Sequence, residues 1–110
     1  MNYMASVSYD LDVASGALQW GETLQSVFGY GPQEAVNSVE WWAAHVHPDD
    51  AMVLNQAMDK MWMPWATNWQ TEYRFRKGDN TYVTVYDSAA VVRGSDGKPV
   101  RLTGTLTPAQ

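Results

Sequence analysis

The sequence predicts an α+β fold, an antiparallel sheet with its helices gathered in the middle of the chain. Three observations lead there. Residues 1–20 and 69–107 carry the alternating polar and apolar pattern of half-buried strands. Apolar residues in 21–62 fall at helical spacing instead. No repeat, low-complexity tract or internal linker separates these regions, so the 110 residues are expected to form one domain, with its core at about 6–107.

Each element has a local reason. Ser6 to Leu11 alternates as a strand, and Ser15-Gly16 is turn chemistry before a second strand, Ala17 to Trp20. Leu24, Val27 and Phe28 share a helix face, which Gly29 can end by taking the left-handed conformation. Pro32 suits the first turn of a short helix through Ala35. Asn37, with Glu40 three residues on, reads as a capping box for a helix carrying Trp41 and Trp42. Pro48 then opens the longest helix, with Asp49 and Asp50 in its first turn, where negative charge suits the dipole. Leu54, Ala57, Met58 and Met61 form its apolar stripe.

Residues 62–68 are a connector rich in tryptophan. Beyond it, Trp69, Thr71, Tyr73 and Phe75 share one strand face, and Gln70, Glu72, Arg74 and Arg76 the other. Lys77 to Asn80 reads as a hairpin turn, Tyr82 to Val92 as a long strand, and Gly94 to Gly97 as a second turn. In the last strand Val100, Leu102, Gly104 and Leu106 are expected to face inward, with Arg101, Thr103, Thr105 and Thr107 opposite.

Composition narrows the function. With no cysteine there is no disulfide framework, thiolate metal site or cysteine nucleophile, which is compatible with a cytoplasmic location. No apolar run approaches the ~18 residues of a membrane span, and no signal peptide is visible. Direct membrane contact is therefore not expected of this chain. A net charge of −5 argues against nucleic acid as partner. All seven lysines and arginines lie at position 60 or beyond, while Asp10, Asp12, Glu22, Glu34, Glu40, Asp49, Asp50 and Asp59 precede Lys60. That asymmetry reads either as two faces that orient a partner or as acidic helices packed near more basic strands.

An ordered set of segments is more specific. Trp20, Val27-Phe28-Gly29-Tyr30, Trp41-Trp42, Val46-His47-Pro48-Asp49-Asp50, Glu72-Tyr73-Arg74-Phe75-Arg76, Asp96-Gly97-Lys98-Pro99-Val100-Arg101 and Leu102-Thr103-Gly104-Thr105 follow one another along the chain. In this order and spacing they resemble the PAS sensory domain, over roughly residues 6–107. The resemblance implies a five-stranded antiparallel sheet in the order 2-1-5-4-3. The helices, inserted between strands 2 and 3, would cover one face and leave a cleft. It also implies a signal-input module of a larger, bacterial-type protein, either a sensor histidine kinase of a two-component system or a diguanylate cyclase. Such a module would sense a small molecule in the cleft, dimerise through its sheet or flanking segments, or both.

The chain departs from the family pattern in four places. Gly21 stands where Asn commonly follows the tryptophan. Gly78-Asp79-Asn80 replaces an Asp-Gly turn. Val85 or Tyr86 stands where a mid-strand tryptophan is expected. Pro108-Ala109-Gln110 replaces the usual Asp-Ile-Thr ending, so either the segment stops before the output linker or its coupling differs.

Candidate chemistry can be weighed against that frame. His45 and His47 with two aspartates are too few ligands to predict a metal site. His47 instead belongs to the helix start. Oxygen-sensing haem needs a histidine within the long helix, and Pro48 to Met61 has none. Cysteinyl-flavin photochemistry is excluded by the lack of cysteine, although flavin stacked non-covalently on tryptophan or tyrosine stays open. The six tryptophans and six tyrosines are the best ligand hint. The expected cleft-lining residues are Trp42, His45, Met58, Trp62, Trp65, Trp69 and Tyr73. The same aromatics could equally fill a small core or form a dimer contact.

Glu72 and Arg74 could form an acid–base pair, but no nucleophile accompanies them, and the other carboxylates read as caps and turns. Catalysis is therefore not expected. Two alternatives remain. A ligand-free interaction module predicts a closed interior and an exposed aromatic patch. A small-molecule enzyme predicts a buried acid or base with a shifted pKa, for which the sequence offers no evident candidate.

Overall fold

The computed structural model describes residues 5–31 and 37–109. The short helix expected at Pro32–Ala35 lies outside the described residues. The strands are β1 (Val7–Asp12), β2 (Leu18–Trp20), β3 (Asn68–Arg76), β4 (Tyr82–Arg93) and β5 (Pro99–Pro108). Between β2 and β3 come the helices α1 (Leu24–Phe28), α2 (Val39–Ala44) and α3 (Ala51–Met61). All strand pairings are antiparallel, in the order β2-β1-β5-β4-β3. Since β2 and β3 occupy opposite edges, the chain between them must cross the sheet. That crossing lays the helices over one face and creates the core.

The expected parity of the strands holds for most of their length. Trp69, Tyr73 and Phe75 of β3 are buried, and so are Val85, Asp87 and Ala89 of β4. In β5, Leu102 and Leu106 face inward, but Val100 is exposed, contrary to expectation. Val92 pairs with Arg101 while Arg93 pairs with Pro99, so Val100 is the extra residue of a bulge. One unpaired residue shifts the alternation.

Gly29 and Gly104 are both required by geometry. Gly29 ends α1 with φ of 84° and returns its N–H to the Gln25 carbonyl at 2.9 Å, as the sequence predicts. Gly104 lies against β4, where a Cβ would sit 2.3 Å from the Ser88 carbonyl oxygen.

Two helix starts differ from expectation. Ser38, not Asn37, caps α2 by accepting the Trp41 N–H at 3.2 Å. Pro48–Asp50 forms a single 3-10 turn, and α3 begins only at Ala51. His47 caps that turn, its Nδ1 accepting the Asp49 N–H at 3.1 Å. Asp50 is drawn away to β3. Its carboxylate takes two bonds from the Arg74 guanidinium, at 2.8 and 3.0 Å, and one from the Arg74 backbone N–H at 2.8 Å. Hydrogen bonding to Arg74 holds the Asp50 carboxyl down at about 2. Arg74 thus pairs with Asp50 rather than with Glu72.

Candidate functional site

The inner face of β4 reads Val83, Val85, Asp87, Ala89, Val91. An acid stands in the middle of an apolar row and is only 2% exposed. An isolated buried carboxylate is costly, and the neighbouring strands supply its partners. Tyr73 of β3 pairs across with Val85, which makes Asp87 its diagonal neighbour on β4. Its hydroxyl donates to Asp87 Oδ2 at 2.8 Å. Tyr9 of β1 reaches across β5, and its hydroxyl donates to Oδ1 at 2.5 Å. From α2, the Trp42 Nε1–H donates to the Tyr73 oxygen at 2.9 Å. Two strands and a helix therefore converge on one carboxylate.

Burial pushes the Asp87 carboxyl up to about 7, against the pull of the two tyrosine hydrogen bonds. Burial and the nearby Asp87 charge also push both tyrosine hydroxyls above their usual range, so they remain protonated donors. This acid is the feature that sequence reasoning missed. The signal was present, as a polar break in a period-2 apolar face. Its significance depended on which side chains the other strands brought to it.

Beside the network lies a cavity of about 30 Å³, room for about two waters. Its lining includes Asp87, Tyr9, Trp20, Trp42, Met58 and Trp69, with the remainder aliphatic. Trp69 ties α3 to the sheet, its Nε1–H donating to the Ala57 carbonyl at 2.7 Å. The Trp20 Nε1–H is buried without an acceptor among the described residues.

Of the expected cleft residues, Trp42, Met58 and Trp69 line this cavity. Tyr73 is buried beside it and holds Asp87. His45, Trp62 and Trp65 lie outside it. His45 follows α2, stacks on Trp41 with ring centres 4.0 Å apart, and bonds the Trp41 carbonyl through Nδ1 at 2.7 Å. Burial lowers its pKa and favours the neutral ring. Trp62 and Trp65 are 52% and 77% exposed. They leave the core because the chain turns outward after α3 and is pinned there by Arg93. The Arg93 guanidinium donates to the carbonyls of Met61, Met63 and Ala66 at 3.1, 2.7 and 2.9 Å, and to that of Gly97 at 2.8 Å. A positive charge at the C-terminal end of α3 also suits the helix dipole.

Among the described residues, no group of three or more His, Cys, Asp or Glu could hold a metal ion. Nor is any described helix long and apolar enough to cross a membrane.

Comparison with known proteins agrees with the architecture. The family profile described as the PAS fold matches residues 17–106. The N-terminal domain of a diguanylate cyclase with PAS/PAC sensor from Marinobacter aquaeolei is 26% identical, with a TM-score of 0.79 and 93% of each chain covered. A sensory box histidine kinase/response regulator from Burkholderia thailandensis E264 is 19% identical with a TM-score of 0.79, covering 94% of this chain and 76% of that one. The PAS-B domain of Drosophila melanogaster Cycle, solved with bound ethylene glycol, is 17% identical with a TM-score of 0.74, covering 94% and 99%. No curated protein matches the sequence significantly.

Proposed function

This chain belongs to the PAS fold family, and from that premise we propose that it is the sensory input module of a larger signalling protein, a sensor histidine kinase or a diguanylate cyclase. The signal is a small molecule that enters the cavity beside Asp87. One observation carries this reading: an apolar cavity holds a single buried carboxylate that is hydrogen-bonded to β1 and β3 and, through Tyr73, to α2. A molecule that alters Asp87 alters partners on β1 and β3 and, through Tyr73, on the helical layer. The ligand biases the domain only to the extent that it binds two arrangements of this network with different affinity. The diguanylate cyclase domain at 26% identity favours this kind of parent.

Thermal unfolding against a panel of small polar and apolar molecules tests the reading, in the wild-type chain and in a Met58→Phe variant that fills the cavity. Stabilisation by at least one chemical class, lost in Met58→Phe, is the expected result. Native mass spectrometry of freshly purified protein would show a retained ligand as mass lost on denaturation. Stabilisation by no class would favour the second reading.

That second reading is a ligand-free interaction module, and it has its own observation. Trp62, Met63 and Trp65 are exposed together on the connector after α3. Exposed aromatics of this kind suit a partner interface, including one with a second copy of the chain.

A further inference from the structure

We propose that the cavity is built for a small primary ammonium. The inference rests on the reading of the cavity as a ligand site, and it specifies the chemistry of the ligand.

Charge favours a cation. Asp87 is 2% exposed, and among the described residues no Lys, Arg or His lines the cavity. Each carboxylate oxygen receives one tyrosine hydroxyl, which leaves each a further lone pair. Two neutral donors compensate an ionised carboxylate only in part. A cation supplies the missing charge and up to three further N–H donors.

The wall favours a cation as well. Trp20, Trp42, Trp69 and Tyr9 surround the cavity with aromatic surface. The negative faces of such rings attract a cation, and more strongly where water is excluded. An anion would meet Asp87 and these faces with the wrong sign. Trp20 lines the cavity, and its Nε1–H is buried without an acceptor among the described residues. A ligand hydroxyl that reaches this N–H would supply its acceptor and favour ethanolamine over ethylammonium. The cavity, with room for about two waters, matches methylammonium as it stands, and ethylammonium or ethanolamine enters only as the flexible Met58 gives way.

The protonation state of Asp87 makes the binding depend on pH. Its carboxyl titrates at about 7. The titratable groups facing it are Tyr9 from β1 and Tyr73 from β3, both held as neutral donors, and α2, α3 and β5 contribute no charged group to the cavity wall. Below that pH Asp87 takes up a proton, the charge pairing is lost, and amine affinity falls.

The test follows the indole ¹H–¹⁵N resonances of Trp20, Trp42 and Trp69 in the full chain at constant ionic strength. The probes are methylammonium, ethylammonium and ethanolamine, set against the neutral methanol, propanol and ethylene glycol. The proposal expects saturable shifts with the amines at about pH 8, with affinity at least about tenfold above the neutral molecules. It also expects about a tenfold loss at about pH 5.5 and a similar loss in Asp87→Asn. The comparison of amine with alcohol needs no variant, so it stands even if Asp87→Asn folds poorly. Equal binding of amines and alcohols would overturn the amine assignment and leave the cavity as a ligand site. The absence of shifts from any probe would overturn both.

Discussion

Asp87 is the residue at which charge, burial and the proposed ligand site meet. Its folded pKa of about 7 lies above the ordinary carboxyl value of 3.8. The folded chain therefore binds a proton that the unfolded chain releases between those values. Stability from this group is fully present below about pH 4 and is lost as pH rises through about 7. Asp87→Asn should remove that fall and leave the variant more stable than wild type at about pH 8, as read by urea unfolding across pH. Asn suits the site because its amide oxygen and nitrogen can each face one tyrosine hydroxyl. Tyr73→Phe acts differently. It strips one bond from Asp87 and leaves the Trp42 Nε1–H buried without its acceptor. A cost of about 1–3 kcal/mol is expected in the same unfolding measurement.

Among the elements, the connector between α3 and β3 depends on a single side chain from β4. Arg93 binds carbonyls at Met61, Met63 and Ala66 and has no carboxylate partner among the described residues. Arg93→Ala should lower stability by about 1–3 kcal/mol. Hydrogen–deuterium exchange should then quicken across 62–67 and change little at Tyr9, Tyr73 and Asp87. Equal quickening at the cavity would mean that the connector and core open as one unit. The β4–β5 pair is tight for another reason. Gly104→Ala would press a methyl group onto the Ser88 carbonyl and the Ala89 backbone, costing about 1–3 kcal/mol, which a shift of the urea midpoint would report.

Across the whole molecule, the uneven distribution of charge resolves partly into internal pairing. Asp50 meets Arg74, and Asp10 meets Arg101 at 2.6 Å. The acidic first half is thus tied to the basic second half: Asp50, in the turn before α3, fits the reading of acidic helices packed near more basic strands, whereas Asp10 lies on a strand itself. The clearest outward signal is instead the apolar group at Trp62, Met63 and Trp65. Trp65→Ser should change stability by no more than about 0.5 kcal/mol, as exposed sites do. If this group is a contact between copies, the same substitution should weaken self-association in analytical ultracentrifugation. An unchanged association constant would remove Trp65 from any such interface.

The sequence by itself determined the kinds of elements, their order and most of their buried faces. A backbone with period 2 or 3.6 fixes which side each residue takes, so Tyr73 and Leu106 could be assigned inward from their neighbours alone. The ordered motifs carried the family and, with it, the strand order. Turn chemistry placed Gly29 correctly, whereas the choice of Ser38 over Asn37 as cap depended on backbone angles that composition does not specify. Only the tertiary structure decided what the inward residues meet. Asp87 gains its role because β5 lies between β1 and β4, letting Tyr9 reach it from one side while Tyr73 approaches from the other. That convergence is a matter of register among strands far apart in sequence, and local periodicity carries no information about it. The tryptophans divide for the same reason. Trp42 and Trp69 lie on elements that cross the core, whereas Trp62 and Trp65 lie on a connector that a distant arginine holds at the surface.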